Sequence, residues 1–261
     1  MRETSKPLYH LGATPEQINS YVILPGDPKR VPKIAALLED AYPVADQREF
    51  CTWNGCLDGT PVTVTSTGIG GPSASIAVEE LVQSGAHTLL RVGTCGAIQP
   101  ELKVGTLVIP TGAVRKEGTG CAYLPLEFPA VPDYQVIWAL EQASQTLGLP
   151  HELGIVESKD SFYGQHNPDL MPVSRMLKEK WKMWEQAGVL ASEMECATIF
   201  LTAAVRQVRA GAVLLVCNNH AWDRPEQPVE EDFEVGPMLQ TAVEALKQLI
   251  AKDKATENAS I

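Results

Sequence analysis

The chain is 261 residues long, 44% hydrophobic and 20% charged, with a formal net charge of -11 at pH 7. That acidic balance argues against nucleic acid as a partner, because phosphate contacts need clustered Lys and Arg, and no apolar run is long enough to span a bilayer. A site for any anion must therefore raise a local positive field against an acidic background.

The N-terminal Met1-Arg2-Glu3-Thr4-Ser5-Lys6-Pro7 lacks the apolar stretch of a secretion signal. The six cysteines, at 51, 56, 95, 121, 196 and 217, form no C-x-x-C and lie mostly in apolar or turn segments. Reduced thiols in a cytoplasm are the expectation. The five histidines contain no H-E-x-x-H, so neither a zinc ion nor another required cofactor is expected.

No Gly/Ser-rich or charged linker divides the chain, which predicts a single domain. In chain order, strand-like runs fall at 21–24, 62–66, 88–92, 106–110, 154–158, 189–191 and 212–217. Helix-like stretches at 73–84, 133–147, 173–186 and 197–208 separate some of them, and one at 238–252 closes the chain. In the first helix Ala74, Ala77, Val78, Leu81 and Val82 form one apolar stripe, with Glu79, Glu80 and Gln83 facing away. Several strands are apolar on both faces, as strands covered by helices on two sides must be. The pattern predicts an α/β/α sandwich around a central mixed β-sheet. Stretches 116–132 and 221–237 read as long loops, the second being either a plain surface loop or a flap beside a site. The tail 252–261 is expected to fray.

Arg91 is the residue most at odds with its surroundings. It sits in Thr88-Leu89-Leu90-Arg91-Val92, which otherwise reads as a buried strand, and a guanidinium keeps its charge at neutral pH. No Asp or Glu lies nearby along the chain, and the run leads into Gly93-Thr94-Cys95-Gly96, a turn-like stretch offering backbone N–H groups. An oxyanion held at the strand's end and a distant carboxylate at the rim of the sheet both answer that charge. After the first strand, Pro25-Gly26-Asp27-Pro28-Lys29-Arg30 brings a tight turn, a helix start and a guanidinium together, as an anion site needs and as an ordinary Asp-Pro turn also would. Thr67-Gly68-Ile69-Gly70-Gly71-Pro72-Ser73 is neither a dinucleotide fingerprint nor a Walker loop. It marks close backbone approach.

Ser192-Glu193-Met194-Glu195-Cys196 spaces two carboxylates so that extended chain projects both to one side, suited to a sugar's diol; both would equally complement a helix N-terminus. Phe162 and Gln165 combine an aromatic face with an amide that donates and accepts, a pairing that suits a planar heterocycle and is also common in loops. Taken together these segments supply an anion site, a diol clamp and a platform for a flat ring.

With those residues in view the chain resembles the nucleoside phosphorylase-I family, and within it the enzymes that act on uridine. The resemblance runs from Tyr9-His10-Leu11-Gly12 to the final helix and is densest at Pro25-Gly26-Asp27-Pro28, Arg48-Glu49-Phe50, 66–75, 77–81, 91–100, 125–131 and Glu193-Met194-Glu195. It implies phosphorolysis of a nucleoside, with inorganic phosphate as co-substrate held by Gly26, Arg30, Arg91 and Thr94 and by Arg48 of a neighbouring subunit. It further implies that Met194, Glu195 and a neighbour's His10 hold the ribose, while Cys95, Gly96, Phe162 and Gln165 line the base pocket. Arg91, Glu195 and Gln165 would carry the catalysis. Sites shared between subunits imply a homo-oligomer, a hexamer built as a trimer of dimers in the uridine enzymes, and Glu49, Ile69 and Ser73 match positions that hold a potassium ion between subunits in some relatives. Three departures bear on the base: Asn167 stands where the uridine enzymes carry an Arg, Cys95 where a Thr is usual, and Asn218 where pyrimidine enzymes are aliphatic and purine enzymes grip the ring. Purine phosphorolysis is therefore an alternative reading. Hydrolysis by a nucleosidase and non-catalytic nucleoside binding on the same scaffold are the others. The three Arg positions weigh against hydrolysis, and Arg91 with Glu195 against mere binding.

Overall fold

A computed structural model of the chain describes residues 6–219 and 234–259. Most of the expected loop at 221–237 lies outside the described residues. The elements in order are β1 (Tyr21–Pro25), α1 (Val31–Ala35), β2 (Glu39–Gln47), β3 (Phe50–Leu57), β4 (Thr60–Thr65), α2 (Gly71–Gln83), β5 (Thr88–Ala97) and β6 (Leu107–Lys116). They continue with α3 (Tyr134–Thr146), β7 (His151–Lys159), α4 (Phe162–His166), α5 (Ser174–Gln186), β8 (Ala191–Glu193), α6 (Cys196–Arg206), β9 (Arg209–Asn219) and α7 (Gly236–Ala259).

Among the described residues all strands join one nine-stranded mixed sheet in the order β2-β3-β4-β1-β5-β8-β7-β6-β9, and β9 pairs back onto β5. The α/β class with a mixed sheet is thus as expected. What the sequence did not announce is closure: β5, β8, β7, β6 and β9 form a ring, while β1 to β4 extend from it as an open wing. Alternation along the strands divides the core. Val22, Leu24 and Leu89 face α2 and α6, whereas Ile23, Leu90 and Val92 face α1, α3 and α7. Arg91, two residues beyond Leu89, therefore projects to the α2 and α6 side.

Two strands escaped the sequence reading. β2 is an edge strand with exposed Glu39, Asp40, Pro43 and Asp46 and two register shifts, its short apolar stretch at 41–45 broken by Pro43, and β3 is interrupted by Asn54-Gly55. The turn-like Gly93-Thr94-Cys95-Gly96 is in fact strand, continuing β5 alongside β9 with a shift between Cys95 and Gly96. β9 takes one edge of this stretch, and pairing with β1 ends at Val92. β8 takes the other edge from Gly96 onward, so that edge is open to a ligand only at 93–95.

The C-terminal stretch expected to fray is helical to Ala259. Asp253 fastens it, accepting from Tyr21 Oη at 2.7 Å and Arg209 Nη1 at 2.9 Å. Burial, and then this hydrogen bond, pushes the Tyr21 phenol up to about 12. Asp253→Ala is expected to lose about 1.5–3 kcal/mol of stability in urea unfolding. An ultraviolet titration of the same variant should return Tyr21 toward its ordinary value of about 10.

Candidate active site

The C-terminal ends of β1, β4, β5, β7 and β9 surround a cavity of about 580 Å³, where an open α/β sheet places its ligands. Arg91 forms its floor and is 3% exposed. The backbone clears a path for it at Gly93, where a Cβ would stand 2.7 Å from Arg91 Nη2. The guanidinium turns out to have internal partners more than a hundred residues away. Nη2 donates to Glu195 Oε2 and lies 3.1 Å from Glu193 Oε2. Both acids are as buried as the arginine.

The distant-carboxylate reading of Arg91 is therefore realised, yet it leaves room for a guest. Nε and Nη1 of Arg91 are buried without a hydrogen-bond partner among the described residues, a costly state that an incoming oxyanion relieves. Burial works to lower the guanidinium's affinity for its proton, but Glu195 and then Glu193 outweigh it and hold the group above its ordinary value. For Glu195 burial prevails over the pull of Arg91, and with the repulsion of Glu193 it raises the carboxyl above the usual carboxylate range.

The two acids differ in what holds them. Glu193 caps the following helix, accepting from the amides of Glu195 at 2.8 Å and Cys196 at 3.0 Å and from the Ser158 hydroxyl. It thus follows the helix-capping reading rather than the diol reading. Glu195 accepts from the amide of Gly70 at 2.6 Å, where a φ of 89° suits glycine, and keeps its place on the cavity wall beside Met194.

Gly26, Arg30 and Thr94 share the end of the cavity floored by Arg91. Burial lowers the Arg30 guanidinium from its ordinary value, Asp27 opposes this, and the like charge of Arg91 adds to the lowering. Two cations that repel one another across open space suit an anion between them. Cys95, Gly96, Phe162, Gln165 and Asn218 line the remainder. Gln165 Oε1 accepts from Ser192 Oγ at 2.9 Å, and Asn218 Oδ1 is buried with no hydrogen-bond partner among the described residues. The Phe162 ring is 47% exposed and lies 3.9 Å from the His166 ring at 31°.

Three expected residues stand outside the cavity. Asn167 is exposed in the turn after α4 and does not line the cavity. Arg48 is exposed in the β2–β3 turn with φ of 56°, and His10 is held by Glu80, Nδ1 to Oε1 at 2.6 Å. Glu49, Ile69 and Ser73 do meet on one rim, with Ser73 Oγ donating to Glu49 Oε1 at 2.8 Å.

A family model described as the phosphorylase superfamily matches residues 20–252. The chain belongs to that superfamily. It is 50% identical to a uridine phosphorylase of Treponema pallidum, over 94% of this chain and 95% of that protein. It is 42% identical to a uridine phosphorylase of Escherichia coli over 93% of this chain and 98% of the relative. A guanosine phosphorylase of Halorubrum lacusprofundi is also 42% identical, over 80% of this chain and 83% of its own length.

Within this superfamily member, sequence reasoning missed Lys159, Ser192 and His166 on the cavity wall. Lys159 gave the same signal as Arg91, a cation closing an apolar strand, but it borders the acidic Asp160 and reads as the start of a loop. Arg91→Met would leave Glu193 and Glu195 buried side by side, with an expected loss of about 3–5 kcal/mol at neutral pH. Those carboxyls would hold protons that the unfolded chain releases, so the variant's stability should be greatest near pH 4 and fall as pH rises. Thermal melting across that range measures it; a loss independent of pH would contradict the ion-pair account.

Proposed function

We propose that this phosphorylase-superfamily chain catalyses the reversible phosphorolysis of uridine to uracil and ribose 1-phosphate. The observation that carries the reading is Arg91 at the cavity floor, with one nitrogen given to Glu195 and two left unpaired beside Arg30. An anion bound there takes up the unpaired donors, and Glu195 on the adjoining wall accepts from the ribose hydroxyls. Phosphate and sugar are thereby held in contact.

Breaking the C1′–N bond leaves positive charge on the sugar and negative charge on the base. Arg91, Arg30, Thr94 and the Gly26 turn place phosphate under C1′, and effective molarities for such positioning reach on the order of 10⁵ M. Glu195 with Met194 fixes the ribose so that phosphate enters opposite the departing base. Gln165, oriented by Ser192, hydrogen-bonds the base, with Phe162, Cys95 and Gly96 around it.

The working form is a homo-oligomer in the cytoplasm, a hexamer assembled from dimers. The exposed Arg48 is offered to a neighbour's phosphate and His10 to a neighbour's ribose. The hard oxygen donors of Glu49 and Ser73, with the Ile69 carbonyl, fit a potassium ion held between copies. A second reading, a purine nucleoside as substrate, is favoured by the unpaired Asn218 Oδ1 and by the guanosine phosphorylase among the relatives.

Uridine, thymidine, inosine and guanosine assayed with and without phosphate test both readings. Uracil should be released fastest, and only with phosphate present. Arg30→Ala should raise the KM for phosphate at least tenfold, about the worth of one charged hydrogen bond. Release without phosphate overturns phosphorolysis. Faster turnover of inosine or guanosine transfers the assignment to the purine reading.

A further inference from the structure

The mechanism above leaves Lys159, on the cavity wall, without a task. Lys159 ends β7 and is 7% exposed, yet it forms no ion pair among the described residues. Its Nζ donates to Ser192 Oγ at 2.8 Å, and no further acceptor for it occurs among the described residues. A lysine buried to this degree is ordinarily matched by a carboxylate in contact.

The nearby acids are all otherwise engaged. Glu157 accepts from Trp184 Nε1 at 2.9 Å and from Ser192 Oγ at 2.9 Å, so a hydroxyl stands between it and the ammonium. Glu193 and Glu195 are committed to Arg91 and to backbone amides. Burial pulls the ammonium below the ordinary lysine range, against Glu157, Glu193, Glu195 and Cys95. The side chain forms cavity wall beside Gln165, and both meet the same Ser192 hydroxyl. It therefore lies beside Gln165, the residue read above as meeting the base. Asn167, the neutral residue in the turn after α4, supplies no charge there.

We infer that Lys159 is the catalytic cation that meets the negative charge developing on the departing base. This rests on the phosphorolysis reading and adds to it the residue that stabilises the leaving group. As the C1′–N bond breaks, its electron pair moves onto the base while a phosphate oxygen bonds to C1′. The ammonium donates a hydrogen bond to the anionic ring in a site poor in water, where such a donor acts most strongly. The proton that completes the free base comes from solvent water, and Lys159 ends the cycle charged as it began.

The test uses the full chain with Lys159→Met and Lys159→Gln. Glutamine keeps a donor for Ser192 but not the charge, so it rescues a merely structural role and does not rescue a charge role. Each variant is assayed on uridine and on uridine carrying an electron-withdrawing fluorine on the base, whose anion leaves more readily. Both variants should lower kcat for uridine about a hundredfold, the usual effect of removing one preorganised donor. They should lose clearly less on the fluorinated nucleoside and leave the KM for phosphate unchanged. Should the methionine variant not fold, the glutamine variant decides alone. Wild-type turnover in Lys159→Gln, or equal losses on both nucleosides, overturns the role of Lys159 while leaving phosphorolysis intact. A wild-type chain that releases no base in phosphate overturns the underlying reading instead.

Discussion

The structure turns on a guanidinium enclosed in a layer of apolar side chains. Arg91 is tolerable there because two carboxylates from the β8–α6 junction reach it, and they are tolerable because it reaches them. Removing the arginine leaves two carboxylates without a counter-charge in a medium of low dielectric. The same triad joins the middle of the sheet to the start of α6 and, through the Gly70 amide, to the start of α2. It is part of the frame and of the cavity floor together. Because the carboxylates occupy one nitrogen of the three, the arginine keeps charge and donors for a guest.

That arrangement depends on how the sheet closes. Pairing of β9 back onto β5 holds Asn218 opposite Gly96, while β7 and β8 bring Lys159 and Ser192 to the same opening. The open wing contributes the Gly26 turn with Arg30 after β1, and the Gly68 segment after β4. A cavity with a cationic floor and a mixed polar wall thus arises where the closed and open parts of the sheet meet. Its lining combines a pair of arginines with an amide, a serine and a lysine.

The relatives illustrate how such a wall can be retuned. A uridine phosphorylase matches this chain at 50% identity over 94% of its length, and a guanosine phosphorylase at 42% over 80%. Recognition of one ring over another rests on a few donors and acceptors, since a buried group left unpaired by the wrong base costs far more than a lost apolar contact. The cavity wall carries Gln165, Asn218, Ser192 and Lys159 as such donors and acceptors, and Ser192 ties two of the others into one network.

The sequence by itself determined the α/β class, most parallel strands, the major helices and the likeness of its motifs to a phosphorylase, because periodic burial and motif spacing are local properties of the chain. It also singled out Arg91, since a charge that cannot be shed stands out in any apolar run. Tertiary structure alone decided what meets that charge, for Glu193 and Glu195 lie about a hundred positions away. It likewise set Glu193 as a helix cap and put Asn167 outside the pocket. β2 was illegible because Pro43 breaks the short apolar stretch of an exposed edge strand, β3 because Asn54-Gly55 interrupts it, and Lys159 was hidden because its burial depends on distant segments such as β8. Strand closure is a long-range pairing, and no local pattern encodes which distant edge a strand will find.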